Sequence, residues 1–300
     1  MYLLNGQRVK RLLYRNNAKS MNKKIRPKIA LITSKETPLA IDEDDFYLLK
    51  SLKSRKVEYN IIPWGAPNMN YFDYSLIRSA WDYYKKPQQF VNWCKITPNL
   101  INNFKVVEWN HNKKYLIELS NIANIIPTII FNKSKDNIML CDNFNSSKFI
   151  IKPCIGLGSI DTFLFDYDSY YDIIKKLKPN TDYLLQPFVS DILRRGEISI
   201  IFINGEYSHA VRKTPANGDY RSQPEFGSNV VKFDLTKEYI DSCNKICNFI
   251  KNKFGVLKYM RMDFIDSKVP MLIELELIEP CLYFEYCPDA ADKLVSSIID

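Results

Sequence analysis

The sequence predicts an α/β protein assembled from α+β subdomains, either one large domain or two to three smaller ones. Three observations carry that expectation. Apolar runs of strand length alternate with amphipathic stretches of helical spacing along the 300 residues. Hydrophobic residues make up 46% of the chain and aromatic residues 13%, enough for a sizeable core. Two hairpin patterns, at 196–213 and 257–280, stand between helical segments.

Taken in order, "KIALITS" (28–34) is a strand, an apolar run that ends in polar residues. "DEDDFYLLKSLKSRK" (42–56) has helical spacing, with Phe46, Leu49 and Leu52 near one face. "VEYNIIPW" (57–64) is a second strand, and 72–96 holds a short strand, a loop and a helix begun near Pro87. This order gives a small N-terminal α/β module over 28–105. The stretch 106–131 reads as loop, helix and strand, and 148–165 as two strands around a glycine loop. A helix (170–178) and a strand (182–189) follow. Asn204-Gly205 between alternating runs is a strong hairpin signal. The segment 214–229 reads as a loop, 236–255 as an amphipathic helix ended by Gly255, and 289–299 as a final helix.

Composition narrows the function classes. No apolar run approaches the roughly 20 residues of a membrane span. The net charge of +8 is unevenly placed: residues 1–28 carry nine Lys/Arg and no Asp/Glu, and the rest of the chain stands at −1. A folded nucleic-acid binder should carry its basic stripe on the domain itself, so nucleic acid is disfavoured as a partner. The basic tail (1–27) fits a targeting segment, an arm for a polyanion, or sequence upstream of a start at Met21. A disordered extension or upstream sequence is the plainer reading. Seven cysteines include no CxxC pair, and the two histidines, His111 and His209, lie far from Cys243 and Cys247. Zinc is therefore disfavoured, and free thiols in a reducing cytosol are expected.

The candidate chemistry lies in the hairpins and the glycine loop. A two-residue turn at Asn204-Gly205 sets Glu197 opposite Arg212, with Lys213 and Arg221 adding cations. In the second hairpin Arg261 and Asp263 share a face, and Asp263 meets Glu274 or, two residues away in register, Glu276. Clustered carboxylates without nearby His suit Mg²⁺ or Mn²⁺. Glu279 has the opposite parity and is left out of that set unless the strand bulges before Pro280. "KPCIGLGS" (152–159) offers Lys152 and a phosphate-approachable loop at Gly156, Gly158 and Ser159, although a lone GxG is a weak signal. Lys113 and Lys114 open a helix and fit either surface lysines or an anion site shared with Lys152. His209 is given no catalytic role, and no nucleophile–base pair is evident.

The ordered segments "RSAWDYYKKPQQFVNW", "WNHNKKYLIEL", "IIKPCIGLGS", "LLQPFV", "GEISIIFINGEYSHAVRK", "GDYRSQPEFG", "RMDF" and "IELELIEP" resemble the ATP-grasp superfamily over about 28–300. Within it they are most similar to the glutathione-synthetase and ribosomal-protein glutamate-ligase type, above all to cyclo-ligase-like proteins of cycloserine biosynthesis. The resemblance implies ATP held between two α+β subdomains, 106–189 and 190–300, behind the N-terminal module. It implies phosphate contacts from Lys114 and Lys152, the loop of Gly156, Gly158 and Ser159 over them, an adenine hinge at Gln186–Val189 that includes Phe188, and Glu197 at the ribose. Asp263, Glu274 and Glu276 would hold two Mg²⁺, with Mn²⁺ as an alternative. Arg261 and Lys213 would meet the transferred phosphate, and Arg212 and Arg221 the acceptor side. Many relatives have Glu-x-Asn where this chain has Glu274-Leu-Glu276. The implied activity is a cytoplasmic ATP-dependent carboxylate–amine ligase working through an acyl phosphate on a small amino-acid-like or peptide substrate. A homodimer is compatible with it. The alternatives are a catalytically silent nucleotide-binding protein and a peptide-modifying ligase of the same fold.

Overall fold

A computed structural model of the chain describes residues 27–37, 43–136 and 143–300. The segment 1–26, and with it the reading of the basic tail, lies outside the described residues.

The first sheet is parallel, in the order β2-β1-β3-β4, and comprises β1 (Lys28–Thr33), β2 (Glu58–Pro63), β3 (Tyr74–Ser79) and β4 (Leu100–Ile101). β1 is buried almost throughout, as a continuous apolar run in a parallel sheet should be. α1 (Asp45–Ser54) connects β1 to β2. Its buried face differs from the expected one: Leu48 and Leu52 are inside and Phe46 is exposed. The cause is Asp45, which must turn inward to pair with the buried Arg78 at 2.7 Å. α2 (Pro87–Ile96) starts at its proline, whose missing N–H would lack a helical partner there in any case.

The start of 106–131, expected as a loop, is helical through Asn110. α3 (Phe104–Asn110) is nucleated by Asn103, whose side chain accepts the N–H groups of Lys105 and Val106. The short α4 (Tyr115–Leu119) follows. The second sheet is antiparallel, β5-β8-β6-β7, made from β5 (Ile129–Asn132), β6 (Lys148–Pro153), β7 (Phe163–Asp166) and β8 (Asp182–Pro187). α5 (Tyr170–Lys176) covers it, burying Tyr170 and Ile173 against Phe149, Ile151 and Phe165.

The single turn α6 (Ile192–Arg195) leads through Gly196 into the third sheet. Gly196 sits at φ +82°, where an added Cβ would collide with the Lys213 carbonyl oxygen. This sheet has the order β11-β10-β9-β12-β13, from β9 (Glu197–Ile203), β10 (Glu206–Thr214), β11 (Asn229–Lys232), β12 (Tyr259–Ile265) and β13 (Met271–Glu276). β11, at the end of the expected 214–229 loop, was not anticipated.

The first hairpin corrects the register read from its turn. Ile203 pairs with Glu206 as expected, but the ladder shifts between Tyr207 and His209, so Lys213 rather than Arg212 stands opposite Glu197. A bulge adds one residue to one strand and reverses the faces of all residues beyond it. In the second hairpin Asp263 pairs with Glu274 and Arg261 with Glu276, the first of the two registers considered.

α7 (Lys237–Phe254) packs Tyr239, Cys243, Ile246 and Ile250 on one face of the third sheet, against Ile198, Ile200, Met260, Met262 and Phe264. α8 (Asp289–Ile299) covers the other face. Its Ala290, Leu294 and Ile298 share one core with Ile201, Tyr259 and, from the N-terminal module, Ile29 and Leu31 of β1 and Leu52 of α1. The N-terminal sheet and the carboxylate-bearing sheet are thus joined by the last helix.

Candidate active site

β13 is an edge strand whose outer hydrogen-bonding groups are taken up at Leu272 by Asn124 and Ile126 and, further along, by the α3–α4 segment. Asn110 donates to the Leu275 carbonyl at 2.8 Å and accepts the Leu277 N–H at 2.9 Å, and the Tyr115 hydroxyl accepts the Leu275 N–H at 3.0 Å. This edge sealing fixes Glu274 and Glu276, which project to one side while Leu275 goes into the core. They face a cleft of about 800 Å³ bounded by the second and third sheets and by loops of the first.

Arg261, Lys213, Lys113 and Lys152 meet Asp263, Glu276, Glu197 and Glu274 in this cleft. Arg261 forks onto Asp263, with Nε and Nη2 at 3.0 Å, and also pairs with Glu276. Ser199 donates to Asp263 at 2.5 Å. Lys213 pairs with Glu197, whose other oxygen accepts from Ser222, and lies 4.0 Å from Asp263. Lys113 pairs with Glu274 at 2.9 Å and donates to the Gly156 carbonyl at 2.6 Å, tying the glycine loop to the carboxylate strand. Lys152 also lines the cleft, and its ammonium makes no ion pair or hydrogen bond among the described residues.

Burial and pairing split the carboxyl groups. Burial pushes Asp263 upward, but Arg261 and Lys213 outweigh it and hold the group below its usual range. The same contest leaves Glu274 lowered, by Lys113 and Lys152. At Glu276 burial wins over Arg261, with Glu274 and Asp263 adding repulsion, and the group is pushed up to about 7. Burial drives Lys152 down, with the neighbouring Lys113 adding to the effect.

The other half of the cleft is less charged. Gly156, Gly158 and Ser159 line it, with Gly158 and Ser159 both near φ +60°. Ser159 Oγ accepts from Gln223 of the 214–228 loop at 2.9 Å. Gln186, Phe188 and Val189 form a further wall, Gln186 being held by the Thr128 hydroxyl at 2.8 Å.

The cleft gathers Lys152, Gly156, Gly158, Ser159, Gln186, Phe188, Val189, Glu197, Lys213, Arg221, Arg261, Asp263, Glu274 and Glu276. Two of the residues singled out from the sequence fall elsewhere. Arg212, turned to the opposite face by the bulge, pairs with Asp266 at 2.8 Å and lies over the Phe233 ring. Lys114 points away, to Asp182 at 2.5 Å, and its neighbour Lys113 takes the cleft position. Arg221 is within the lining, yet its guanidinium is bound to Asp219. Sequence reasoning missed Asn110, Tyr115, Ser199 and Ser222, and it left Glu279 out of the metal set; Glu279 lines the cleft. Glu279 carried a signal, since a Glu-Pro step after a strand stops the alternation that its exclusion rested on. His209 is structural: its Nε2 meets the Leu282 and Tyr283 carbonyls at 2.9 and 3.1 Å.

The donor set suits a hard cation. Beyond the half-buried Cys281, the cleft acids are oxygen ligands. Among the described residues no group of three His, Cys, Asp or Glu is already gathered around a metal position. The acids are held by Arg261, Lys113 and Lys213 instead.

Comparison with known proteins gives two family matches. Residues 29–102 match the N-terminal domain of D-cycloserine synthetase DcsG, and residues 113–285 match the ATP-grasp domain of prokaryotic glutathione synthetase. The cycloserine biosynthesis protein DcsG of Streptomyces lavendulae is 26% identical over 298 residues, covering 91% of this chain and 98% of that protein. Glutathione synthetase of Prochlorococcus marinus is 25% identical over 159 residues, 51% of this chain and 49% of that protein. The crystal structure of D-cycloserine synthetase DcsG superposes with a TM-score of 0.79 at 22% identity, covering 91% of this chain and 98% of that one. D-alanine–D-alanine ligase from Bacillus anthracis superposes with a TM-score of 0.60 at 14% identity, covering 91% and 96%. No helix among the described residues is long and apolar enough to cross a membrane.

Proposed function

The chain belongs to the prokaryotic glutathione synthetase ATP-grasp family, and on that premise we propose that it joins a small-molecule carboxylate to an amine at the expense of ATP, releasing ADP and phosphate. The observation that carries the reading is one cleft in which Lys152 and Lys213 converge with Arg261, Asp263, Glu274 and Glu276. The substrate carboxylate attacks the γ-phosphorus, the bond to the β-phosphate oxygen breaks, and an acyl phosphate and ADP form. The amine then adds to the acyl carbon, phosphate departs, and the amine loses a proton. Such chemistry asks for position and charge neutralisation rather than a nucleophilic side chain.

In this reading Gln186, Phe188 and Val189 flank the adenine, and Glu197 lies at the ribose side. Lys152 and Lys113 meet the phosphates under the loop of Gly156, Gly158 and Ser159. Arg261 and Lys213 receive the transferred phosphoryl group. Asp263, Glu274 and Glu276 are the residues that would hold Mg²⁺, an ion that keeps several waters and takes few protein carboxylates. When bound there, Mg²⁺ would supply neutralisation of the negative charge on the transferred phosphate. The boundary at 105 then sets off the N-terminal module, and the one at 189 divides the two ATP-holding subdomains.

The test is ADP release by the purified chain with Mg²⁺-ATP and pooled carboxylates and amines. Asp263→Ala and Glu274→Ala should each lower it by roughly a hundredfold or more, the scale of removing one electrostatic contact to the transferred group. Unchanged turnover in both would sink the assignment. ATP binding without ADP release by the unaltered chain would favour a silent nucleotide-binding protein.

A further inference from the structure

One residue of the cleft keeps a costly backbone conformation. Tyr283 stands at φ +51° and ψ +43°, the left-handed region that a tyrosine side chain disfavours. Three separate elements hold it there. Asp44 of the N-terminal module accepts the N–H groups of Leu282 and Phe284 on either side of it. His209, at the bulge of β10, meets the Leu282 and Tyr283 carbonyls through Nε2. Arg261 of β12 donates to the Cys281 carbonyl at 3.0 Å. Glycine or asparagine would adopt this turn more readily, so the clamp points to a use for the side chain.

That side chain lies beside the two cations placed at the transferred phosphate. It lines the cleft at 6% exposure, with its ring centroid 5.8 Å from the Arg261 guanidinium and 6.0 Å from Lys213 Nζ. The ring shares a core with Ile201 and Val211, a task that phenylalanine would perform equally well. The hydroxyl is the part that packing leaves unexplained. It makes no hydrogen bond among the described residues, although a buried tyrosine usually finds one, and it is not sealed from solvent. Burial holds the phenol above its usual range, opposed by the charges of Lys213 and Arg261, so at neutral pH it keeps its proton and can donate. Two neighbouring cations favour an anionic acceptor. A phosphate, charged throughout, is met by the permanent charges of Arg261 and Lys213. A neutral donor on a fixed backbone suits a charge that appears only during the reaction.

We propose that the Tyr283 hydroxyl donates to the acyl oxygen of the acyl phosphate as the amine adds, which makes Tyr283 a catalytic residue of the second half of the reaction. This rests on the ligase reading above and adds a residue to it. In that step the amine lone pair forms the C–N bond, and the carbonyl π pair moves onto the acyl oxygen. The pair returns as the C–O bond to phosphate breaks, phosphate leaves, and the nitrogen gives its proton to solvent. Tyr283 stays neutral throughout.

The experiment uses the full chain with Mg²⁺-ATP and the acid–amine pair that gives the wild type its highest ADP release in the pooled screen. Rapid quench reads the first turnover of ADP, and the steady state reads the whole reaction. Tyr283→Phe keeps the ring and its packing. Its first turnover should stay within about threefold of the wild type, while steady-state release falls roughly tenfold or more, as on removing a donor to an oxyanion. A burst of ADP stoichiometric with the chain should then precede slow turnover. Affinity for ADP and the melting temperature should hold, because the hydroxyl makes no bond within the fold. Undiminished steady-state release would overturn the assignment. So would a first turnover slowed as much as the steady state, or a melting temperature that falls with the turnover. ADP release by the wild type from no acid at all would instead overturn the ligase reading, and this inference with it.

Discussion

Single residues in this molecule take their roles from which face of a strand they occupy. Lys213 and Arg212 are adjacent cations, and the bulge before His209 sends one to Glu197 in the cleft and the other to Asp266 outside it. The turn chemistry of Asn204-Gly205 is legible in sequence, whereas the bulge depends on how β10 meets its neighbours. His209, at that bulge, gives a pH test. Burial, aided by the charge of Lys232, lowers its pKa despite the Leu282 and Tyr283 carbonyls. A histidine lowered in the folded state binds protons more readily when unfolded. Its contribution to stability is therefore intact above about pH 6.5 and falls as pH drops toward the folded value. The stability gap between wild type and His209→Gln should narrow below pH 6.5, by at most about 1.4 kcal/mol per pH unit. Urea midpoints at pH 7.5, 6.5 and 5.5 would check this; a gap that widens on acidification would refute it.

At the scale of elements, the carboxylate strand depends on a segment 160 residues away in sequence. Asn110 and Tyr115 seal the outer edge of β13 between Leu275 and Leu277. The neighbouring Lys113 reaches both Glu274 and the glycine loop. Asn110→Ala would leave a buried carbonyl and a buried N–H unpaired, a loss of about 2–4 kcal/mol. Thermal unfolding should show that loss, and Mg²⁺-dependent ADP release should fall with it, because Glu274 loses its fixed backbone. The alternation in "MLIELELI" and the hairpin pairing of Asp263 with Glu274 could be read from sequence, because period and turn are local. The partner that seals the edge could not, since side-chain hydrogen bonds to a distant backbone leave no periodic trace. Asn103 caps α3, but an asparagine before an apolar run marks a turn as readily as a helix start. Lys113 and Lys114 could not be separated from sequence, because α4 begins too close to them to define a face.

At the scale of the whole molecule, the N-terminal module is part of the site rather than an appendage. Asp44 accepts the backbone N–H groups of Leu282 at 2.7 Å and Phe284 at 2.5 Å. Between them Tyr283, held at φ +51°, carries its ring within 5.8 Å of the Arg261 guanidinium. Arg78, buried at 2% exposure, anchors the base of this arrangement through Asp45. Asp44→Asn keeps the size but offers one acceptor oxygen where two are used. It should cost about 1–3 kcal/mol of stability and lower ADP release several-fold, through Tyr283 and Arg261 rather than through nucleotide affinity. Unaltered turnover in a variant of reduced melting temperature would confine the clamp to a structural role. The α/β class, the order of the elements and most of the cleft were legible in the sequence. The junction was not, because it joins residues about 240 positions apart.

That junction also orders events in time. The first sheet leaves the ribosome early, yet its core is completed by Leu282, Phe284, Ala290 and Leu294 near the far end of the chain. At about 5–20 residues per second, synthesis separates β1 from α8 by roughly 10–50 seconds. Until then the core that Leu48 and Leu52 form with Ile29, Leu31 and Leu76 lacks its C-terminal side, and the nascent chain must carry an unfinished hydrophobic surface through most of its own synthesis.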